Sequence, residues 1–271
     1  MDLIRNKYYI IRTGDFATNA NKKLIYILLS LLLCIHDGIE NKNIEYLTIM
    51  AYSSIIWSVV ELVLNMQKVR IIKPMKIYWN NSSRLVGKYT GICLQGAQEG
   101  GAVTIIGLYF GDRIYSSFYK LLYHILIGYM VWNMAGKETN NKVLSKRQIN
   151  TPGSLALMSG ATIFNTWIIV IYPQHFNREL GMFLSMVYIS SIWTVVSYYK
   201  DFRRVEVHLY QHRSNLGREY VRKLDTFLDA LLILGYDVMF EIGMAYITFY
   251  NIVLILHSQV MATIHNIPIY K

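Results

Sequence analysis

Four carboxylic acids lie in the last long apolar stretch of the chain, residues 225–258, at intervals that are multiples of four: Asp225, Asp229, Asp237 and Glu241. Residues four apart on a helix lie about one turn from each other, so the acids of each close pair share a face. The stretch contains no lysine or arginine, and four acids without cations cannot all be ionised in lipid. Either the helix lines water, or some acids are protonated. Such acids are typical of a proton or cation path, and Asp229, Asp237 and Glu241 are candidate relay groups.

A second candidate relay acid, Glu61, lies in the apolar stretch 46–66. On a helix it shares one face with Ser54, Ser58 and Asn65, which gives an otherwise apolar rod a polar seam. This seam fits a hydrogen-bonded contact between helices as well as it fits a functional path, so both interpretations stay open.

Glu99 is the corresponding acid of the apolar stretch 89–110, and Gln95 and Gln98 lie on its face. The glutamines supply hydrogen-bond donors to a carboxylate. Several glycines surround them, and small residues allow a neighbouring helix to approach closely. A phosphate-binding loop is not indicated, because the pattern lies within a span and no lysine follows it. We therefore predict a functional role for Glu99, with Gln95 and Gln98 as polar support.

Two more polar side chains lie within apolar stretches, His124 in 116–135 and Asn165 in 154–173. A lone buried histidine is more often hydrogen-bonded structure than a ligand, so His124 is predicted to give polar support. Asn165 is predicted to bridge two helices.

The elements that carry these residues are seven apolar stretches, each about long enough for a transmembrane helix of about 20 residues. Hydrophobic residues make up 54% of the chain and charged residues only 16%, which is below the roughly 25% of soluble domains. The sequence predicts an all-α, multi-pass membrane protein, a single domain with a seven-helix bundle. The predicted spans are 24–39, 46–66, 89–110, 116–135, 154–173, 180–199 and 225–258.

The distribution of lysine and arginine supports this number of spans. Of the 27 such residues, 22 lie before the first span or after spans two, four and six, and none lies within a span. Positive residues favour the cytoplasmic side, so we expect the amino terminus inside and the carboxyl terminus outside. Lys22 and Lys23 are expected to extend the short first span by snorkelling. The long last span is expected to tilt, to break at Gly235 or Gly243, or to extend into water.

The net charge of +10 does not indicate a nucleic-acid partner, because the basic residues lie in short loops. The predicted partners are the lipid bilayer and its anionic headgroups, and a homo-oligomer is possible. The basic, aromatic segment 200–223 is expected to lie along the headgroups. Its pair His208 and His212 has helical metal-ligand spacing, but only Glu206 is adjacent, so no metal site is predicted.

Seven helices, an inward amino terminus and this length resemble the heliorhodopsins, a family of inverted seven-helix topology. Local traces cover about a tenth of the chain. They are Asn81, Arg84, Tyr89 and Thr90, which resemble the start of that family's third helix; Pro152 and Gly160, which resemble the start of its fifth; and Tyr199 and Lys200, which resemble the end of its sixth.

The chain departs from that family at the retinal site. The resemblance implies a lysine in the middle of the seventh helix for a retinal Schiff base, but the last span has none. No cofactor is therefore predicted, and any kinship is with a lysine-less relative.

Transport of protons or ions through a bundle lined by carboxylic acids is the function that these patterns favour. One alternative is a rhodopsin-like sensor, signalling or scaffold protein without retinal, with segment 200–223 as the partner surface. Another is a membrane-embedded lipid-modifying enzyme that uses a carboxylate near the headgroups. Enzymatic activity is the less favoured of these classes. The predicted location is a membrane that the chain crosses several times.

Overall fold

The computed structural model of the protein describes residues 6–13, 18–66, 74–80, 82–135, 143–211, 218–224 and 226–265. Within these ranges the helices line up as seven rods, and six β-strands connect or flank them. Each rod coincides with one predicted span, although most rods extend a few residues beyond the predicted bounds.

The helices are α1 (Ala20–Asn41), α2 (Glu45–Met66), α3 (Lys88–Gly96), α4 (Val103–Asp112), α5 (Ser117–Ala135), α6 (Pro152–Ile171), α7 (Phe176–Tyr199), α8 (Phe227–Tyr236) and α9 (Ala245–His265). A 3-10 turn, Pro173–His175, precedes α7. Two π-helical segments lie within rods: π segment A, Ala97–Ala102, joins α3 to α4 as the third rod, and π segment B, Asp237–Met244, joins α8 to α9 as the seventh.

Polar caps determine where several rods begin. The side chain of Asn19 accepts hydrogen bonds from the first backbone N–H groups of α1. Thr151 caps α6 in the same way, and Pro152 occupies the first turn, where its missing N–H has no cost. Thr226 caps α8. These residues bind N–H groups that lack partners within the helix.

Five of the helices in the described residues are long and apolar enough to cross a membrane: Ala20–Asn41, Glu45–Met66, Pro152–Ile171, Pro173–Tyr199 and Phe227–His257. Large apolar side chains on their outer faces are exposed, among them Leu28, Leu32, Leu157 and Ile163. Such an outer surface is unfavourable in water and is consistent with an integral membrane protein. A bundle that crosses seven times, and its orientation, stay predictions.

The fold is mostly helical, as predicted, but it also contains β-strands that an all-α protein would lack. The described strands are β1 (Lys7–Thr13), β2 (Lys76–Trp79), β3 (Ser82–Leu85), β4 (Val143–Gln148), β5 (Arg203–Gln211) and β6 (Arg218–Leu224). Four of them form an antiparallel sheet in the order β4-β1-β5-β6, and β2 and β3 form a hairpin. The strands of this sheet come from the amino terminus and from the connections after the fourth and sixth rods. The sheet therefore joins loops that the charge distribution assigns to one side.

The sheet packs against α8. Tyr8, Val205 and Val207 on the sheet and Ala230 and Ile233 on α8 belong to one buried apolar cluster. Burial of this apolar face is what holds the sheet against the bundle. α8, which forms the first ten residues of the seventh rod, therefore packs against the sheet. This packing accounts for the unusual length of the last predicted span. The rod does not break at Gly235 or Gly243; it continues through π segment B.

Segment 200–223 does not form a helix on its described residues. It forms the antiparallel hairpin of β5 and β6, in which Val205 pairs with Leu224. His208 therefore lies on a strand, and the helical spacing assumed for it and His212 does not apply; His212 lies outside the described residues.

Close packing of the third rod on α2 confirms the expected effect of its glycines. A Cβ atom added to Gly100 would lie 2.6 Å from the carbonyl oxygen of Ser53, and one added to Gly96 would lie 2.6 Å from the backbone nitrogen of Ser58. Only glycine allows the two backbones to approach this closely. A similar contact joins Gly111 of the third rod to Gly181 of α7.

Candidate functional site

π segment B carries Asp237 and Glu241, two of the candidate relay acids of the last span. The side chain of Asp237 is 1% exposed and that of Glu241 is 8% exposed. A π-helical turn is rare, disturbs the regular α-helical bonding and is frequently found at functional sites. The acids thus lie where the backbone of the rod is least regular.

Arginines from two strands neutralise these acids. Arg203 of β5 donates from Nη2 to Oδ2 of Asp237 at 2.5 Å and from Nη1 to Oγ1 of Thr194 at 2.6 Å. Arg147 of β4 donates from Nη2 to Oδ1 of Asp237 at 2.8 Å and also to Oε2 of Glu241. The prediction that these acids lack cationic partners is therefore wrong. Their partners lie on other elements, more than 30 residues away in sequence.

A third arginine, Arg12 of β1, belongs to the same charged group. Burial and then the repulsion of Arg203 lower the pKa of Arg12 to about 10, while the negative charges of Asp237 and Glu99 act to raise it. At neutral pH the guanidinium therefore stays charged. We call Arg12, Arg147 and Arg203 the arginine cluster. Its positive charges on the sheet attract the acids of the third and seventh rods, Glu99 and Asp237.

The third rod places its polar residues towards α1 and α2. Oε2 of Glu99 accepts a hydrogen bond from Nε1 of Trp57 at 3.4 Å. Oε1 of Gln98 accepts one from Nζ of Lys23 at 3.3 Å, and the side chain of Lys23 is fully buried. Lys23 therefore does not snorkel, because Gln98 gives it a partner inside the bundle. Gln95 is also buried.

Three other predicted site residues do not belong to this charged group. Two of them lie apart from it, and the third lies deep in another helix. Asp229 is exposed in the first turn of α8, where it accepts a hydrogen bond from the capping Thr226 at 2.7 Å. The exposed His124 contacts the carbonyl oxygen of Lys120 and the hydroxyl of Tyr188. Glu61 is fully buried in α2. Asp225 lies outside the described residues.

A chain of buried polar groups continues from π segment B towards the opposite end of the bundle. Nδ2 of Asn165 donates to the carbonyl oxygen of Met244, the last residue of that segment, at 3.0 Å. Nδ2 of Asn251 donates to Oδ1 of Asn165 at 3.2 Å and to Oε2 of Glu179 at 3.3 Å. Asn165 thus bridges the fifth and seventh rods, as predicted. We call Met244, Asn165, Asn251 and Glu179 the amide chain.

Two members of the amide chain have unused hydrogen-bonding capacity. Oε1 of Glu179 and Oδ1 of Asn251 are buried and have no hydrogen-bond partner among the described residues. Nearly all buried polar atoms in proteins are paired, so an unpaired acceptor calls for a physical explanation. Here the two acceptors belong to side chains that are hydrogen-bonded to each other, and a buried water is the usual partner of such acceptors.

Sequence analysis missed Glu179 and Asn251. Glu179 follows Arg178 and lies one residue before the predicted sixth span, so the predicted boundary places it in a loop. Asn251 is an isolated polar residue in an apolar run, which is the same signal that identified Asn165.

A second charged layer lies at the opposite end of the bundle, at the start of the sixth rod. Arg178 pairs with Asp112 at 2.9 Å and with Glu45 at 2.6 Å. Arg113 pairs with Asp37 there at 2.5 Å, and its pKa is held above its usual value by that carboxylate despite the opposing effect of burial. These residues lie at or next to the ends of the first, second, third and sixth rods, on the side that the charge distribution assigns to the outside.

The second charged layer lies more than three helical turns along the seventh rod from Asp237. Arg178 also donates to the hydroxyl of Tyr250 at 3.4 Å, and Tyr250 lies 13 residues after Asp237 on the same rod, which at the α-helical rise is at most ~20 Å along the axis. The intervening core is apolar, with Ile105, Leu108 and Met182 fully buried. The amide chain lies between the arginine cluster and this second layer.

No protein-family model, curated protein or solved structure matches the chain. The resemblance to the heliorhodopsins therefore stays a prediction. Among the described residues, no three His, Cys, Asp or Glu side chains converge as metal ligands would.

Proposed function

We propose that the protein is a multi-pass integral membrane protein that conducts protons along its seventh rod, between the arginine cluster and the second charged layer. The observation that carries this proposal is the amide chain, which starts at the end of π segment B and ends at the buried carboxyl group of Glu179. Buried polar groups in a membrane span are costly, and they mark ion and proton pathways.

Glu241 is the proposed proton-exchanging group at the sheet end. Asp237 is paired with Arg203 and Arg147, whereas Glu241 has, among the described residues, a salt bridge with Arg147 alone. The side chain of Arg147 is 36% exposed, so water has access to this part of the site. If Glu241 takes up a proton, Arg147 keeps its pairing with Asp237 and no buried cation is left alone.

The middle of the path is formed by hydrogen-bonding groups that do not titrate. The carbonyl oxygen of Met244 lies three residues beyond Glu241, and Asn165 and Asn251 lead from it to Glu179. Asparagine amides do not carry protons themselves, but they orient waters that do. A buried water needs two to four polar partners, and Asn251 and Glu179, whose side chains are hydrogen-bonded to each other, each have one unpaired oxygen.

Glu179 is the proposed proton-exchanging group at the opposite end. It lies in the first turn of α7 and directly follows Arg178, which belongs to the second charged layer. From the distribution of lysine and arginine we propose that the sheet faces the cytoplasm and that the bilayer's anionic headgroups surround it. Assembly into homo-oligomers is also proposed.

Flux measurements in liposomes test the proposal. The purified protein is reconstituted with a pH-sensitive dye inside, and a potassium gradient with valinomycin drives protons inwards. We expect flux above that of empty liposomes, and a large loss in Glu241→Gln and in Asn251→Leu, since each interrupts the path. Asp229→Asn is the matched control, because Asp229 lies exposed at the start of the same rod, outside the path. Wild-type flux equal to that of empty liposomes would overturn the proposal.

A second candidate function is a sensor or signalling protein without retinal. The observation that favours it is the buried pairing of Arg203 with Asp237, which connects the sheet directly to the seventh rod. A movement of the rod would then be transmitted to the sheet. Absence of proton flux, together with binding of a soluble partner to the sheet that Arg203→Met abolishes, would favour this function over conduction.

A further inference from the structure

A cavity of about 380 Å³ lies where the sixth rod ends and the seventh begins, next to the sheet. Its described lining includes Tyr198 and Tyr199 at the end of α7, Thr226 and Phe227 at the start of α8, and charged residues of the sheet and its connection. The aromatic rings of Tyr199 and Phe227 stack at 6.1 Å beside it. This position corresponds to the ends of two helices that are long and apolar enough to cross a membrane.

The charge of the cavity is positive. Arg203, Arg204 and Lys223 line it, against one carboxylate, Asp201. The side chain of Arg203 is 2% exposed, and its Nε is a buried donor without a hydrogen-bond partner among the described residues. Nε of Arg204 is also buried and without a hydrogen bond among the described residues, but it lies 3.8 Å from Oε1 of Glu206, with which it forms an ion pair. A guanidinium N–H group without a hydrogen bond, such as Nε of Arg203, is suited to an oxygen atom of a phosphate.

We propose that this cavity binds a phosphate group, presented by the headgroup of an anionic phospholipid. Tyr199 is 71% exposed and Leu228, which follows Phe227, is 79% exposed, so the rim of the cavity offers apolar and aromatic surface to acyl chains. Tyrosine rings at the headgroup level and basic residues beneath them are the combination found in lipid-binding pockets between helices. The site does not depend on proton conduction and involves different atoms of Arg203 from those that bind Asp237.

Lipid retention measured by native mass spectrometry tests the proposal. The full-length protein is exchanged into nanodiscs of phosphatidylcholine with and without phosphatidic acid, and bound lipid is counted after release. We expect preferential retention of phosphatidic acid, weakened about fivefold for each cation removed, in Arg204→Ala, Lys223→Ala and the double variant. Arg203 is left unchanged, because it also supports the fold.

Arg84→Ala is the matched control, because Arg84 is an exposed cation of β3 outside the lining. Equal retention of the two lipids, or an equal loss in Arg84→Ala and in the double variant, would overturn the proposal. A competition series with inorganic phosphate separates the two sources of the phosphate group. Displacement of phosphatidic acid only by excess lipid supports the headgroup, whereas displacement by inorganic phosphate at low concentration would contradict a lipid ligand.

Discussion

Arg203 and Asp237 form a buried ion pair between a strand of the sheet and π segment B, with Nη2 and Oδ2 2.5 Å apart. The two side chains are 2% and 1% exposed. Because each charge has lost its water, the pair depends on its geometry and on the further bonds to Thr194 and Arg147. Together with the bonds of Arg147, it attaches the sheet directly to the helical bundle.

Removal of one partner of this pair is predicted to destabilise the protein strongly. Arg203→Met leaves the charge of Asp237 less compensated, and breaking a buried pair costs about 3–5 kcal/mol. Because Arg147 also binds Asp237, we expect a loss near the lower limit, measured as unfolding free energy in mixed micelles. The double variant Arg203→Met with Asp237→Leu should recover part of it in a double-mutant cycle. Additive losses in the two single variants would show that the pairing contributes nothing.

Two glycines provide a matched test of helix packing. In Gly100→Ala the new methyl group meets Trp57 and comes within 2.6 Å of the backbone of Ser53, so α2 and the third rod must separate, at a cost of about 1–3 kcal/mol. Gly160→Ala in α6 meets nothing within 4 Å, and alanine is the better helix former by ~1 kcal/mol. Thermal unfolding should therefore shift downwards for the first variant and upwards, or not at all, for the second. Similar shifts in both would contradict the close contact.

Replacement of Arg12 by lysine is predicted to make stability depend on pH. Burial lowers the pKa of Arg12 to about 10. In the wild type, the stability therefore changes through titration of this group only above that pH. The same surroundings lower the pKa of a lysine from its usual ~10.4. The folded state of Arg12→Lys then releases its proton before the unfolded state does, so stability rises with pH through that window.

The measurement is the difference in unfolding temperature between Arg12→Lys and the wild type, taken from about pH 7 to about pH 10. The unfolding temperature of Arg12→Lys, relative to that of the wild type, should increase as pH rises. Lys22→Arg, a change at the start of α1 that keeps the charge, serves as control. A difference that is constant with pH would mean that position 12 is not desolvated in the folded protein.

The predicted orientation has a direct chemical test. In a background without Cys34 and Cys93, Arg84→Cys places a thiol on the exposed hairpin of β2 and β3, and Tyr115→Cys places one in the loop between the third and fourth rods, where Tyr115 is 90% exposed. A membrane-impermeant maleimide should label Tyr115→Cys in intact cells and Arg84→Cys only after permeabilisation. Labelling of both thiols in intact cells would contradict the alternating topology.

The helical rods were predictable because each is a long apolar segment, and such segments are recognised from local sequence alone. The sheet was not, although Val205, Val207 and Leu209 of β5 alternate with polar residues as a half-buried strand does. Its strands pair over long sequence separations, for example Tyr9 with Gln148. Local patterns in loops between spans do not reveal such pairing.

The candidate site was predictable in part for the same reason. The acids Asp237 and Glu241 stand out as charges in an apolar run, and their common face is confirmed by their shared contact with Arg147. Their arginine partners lie on strands that sequence analysis did not predict. Glu179 was excluded because the estimated boundary of the sixth span fell one residue after it, and boundaries are the least reliable part of such estimates.

Potential-driven proton flux through liposomes that contain either the wild type or Glu179→Gln tests the central claim most directly. The substitution keeps the shape of the side chain and one acceptor oxygen for Asn251, and it removes the ability to exchange a proton. The account predicts flux in the wild type and a decrease of about tenfold or more in the variant at equal incorporation, which corresponds to a barrier increase of at least ~1.4 kcal/mol. Equal flux in the two proteins would contradict it.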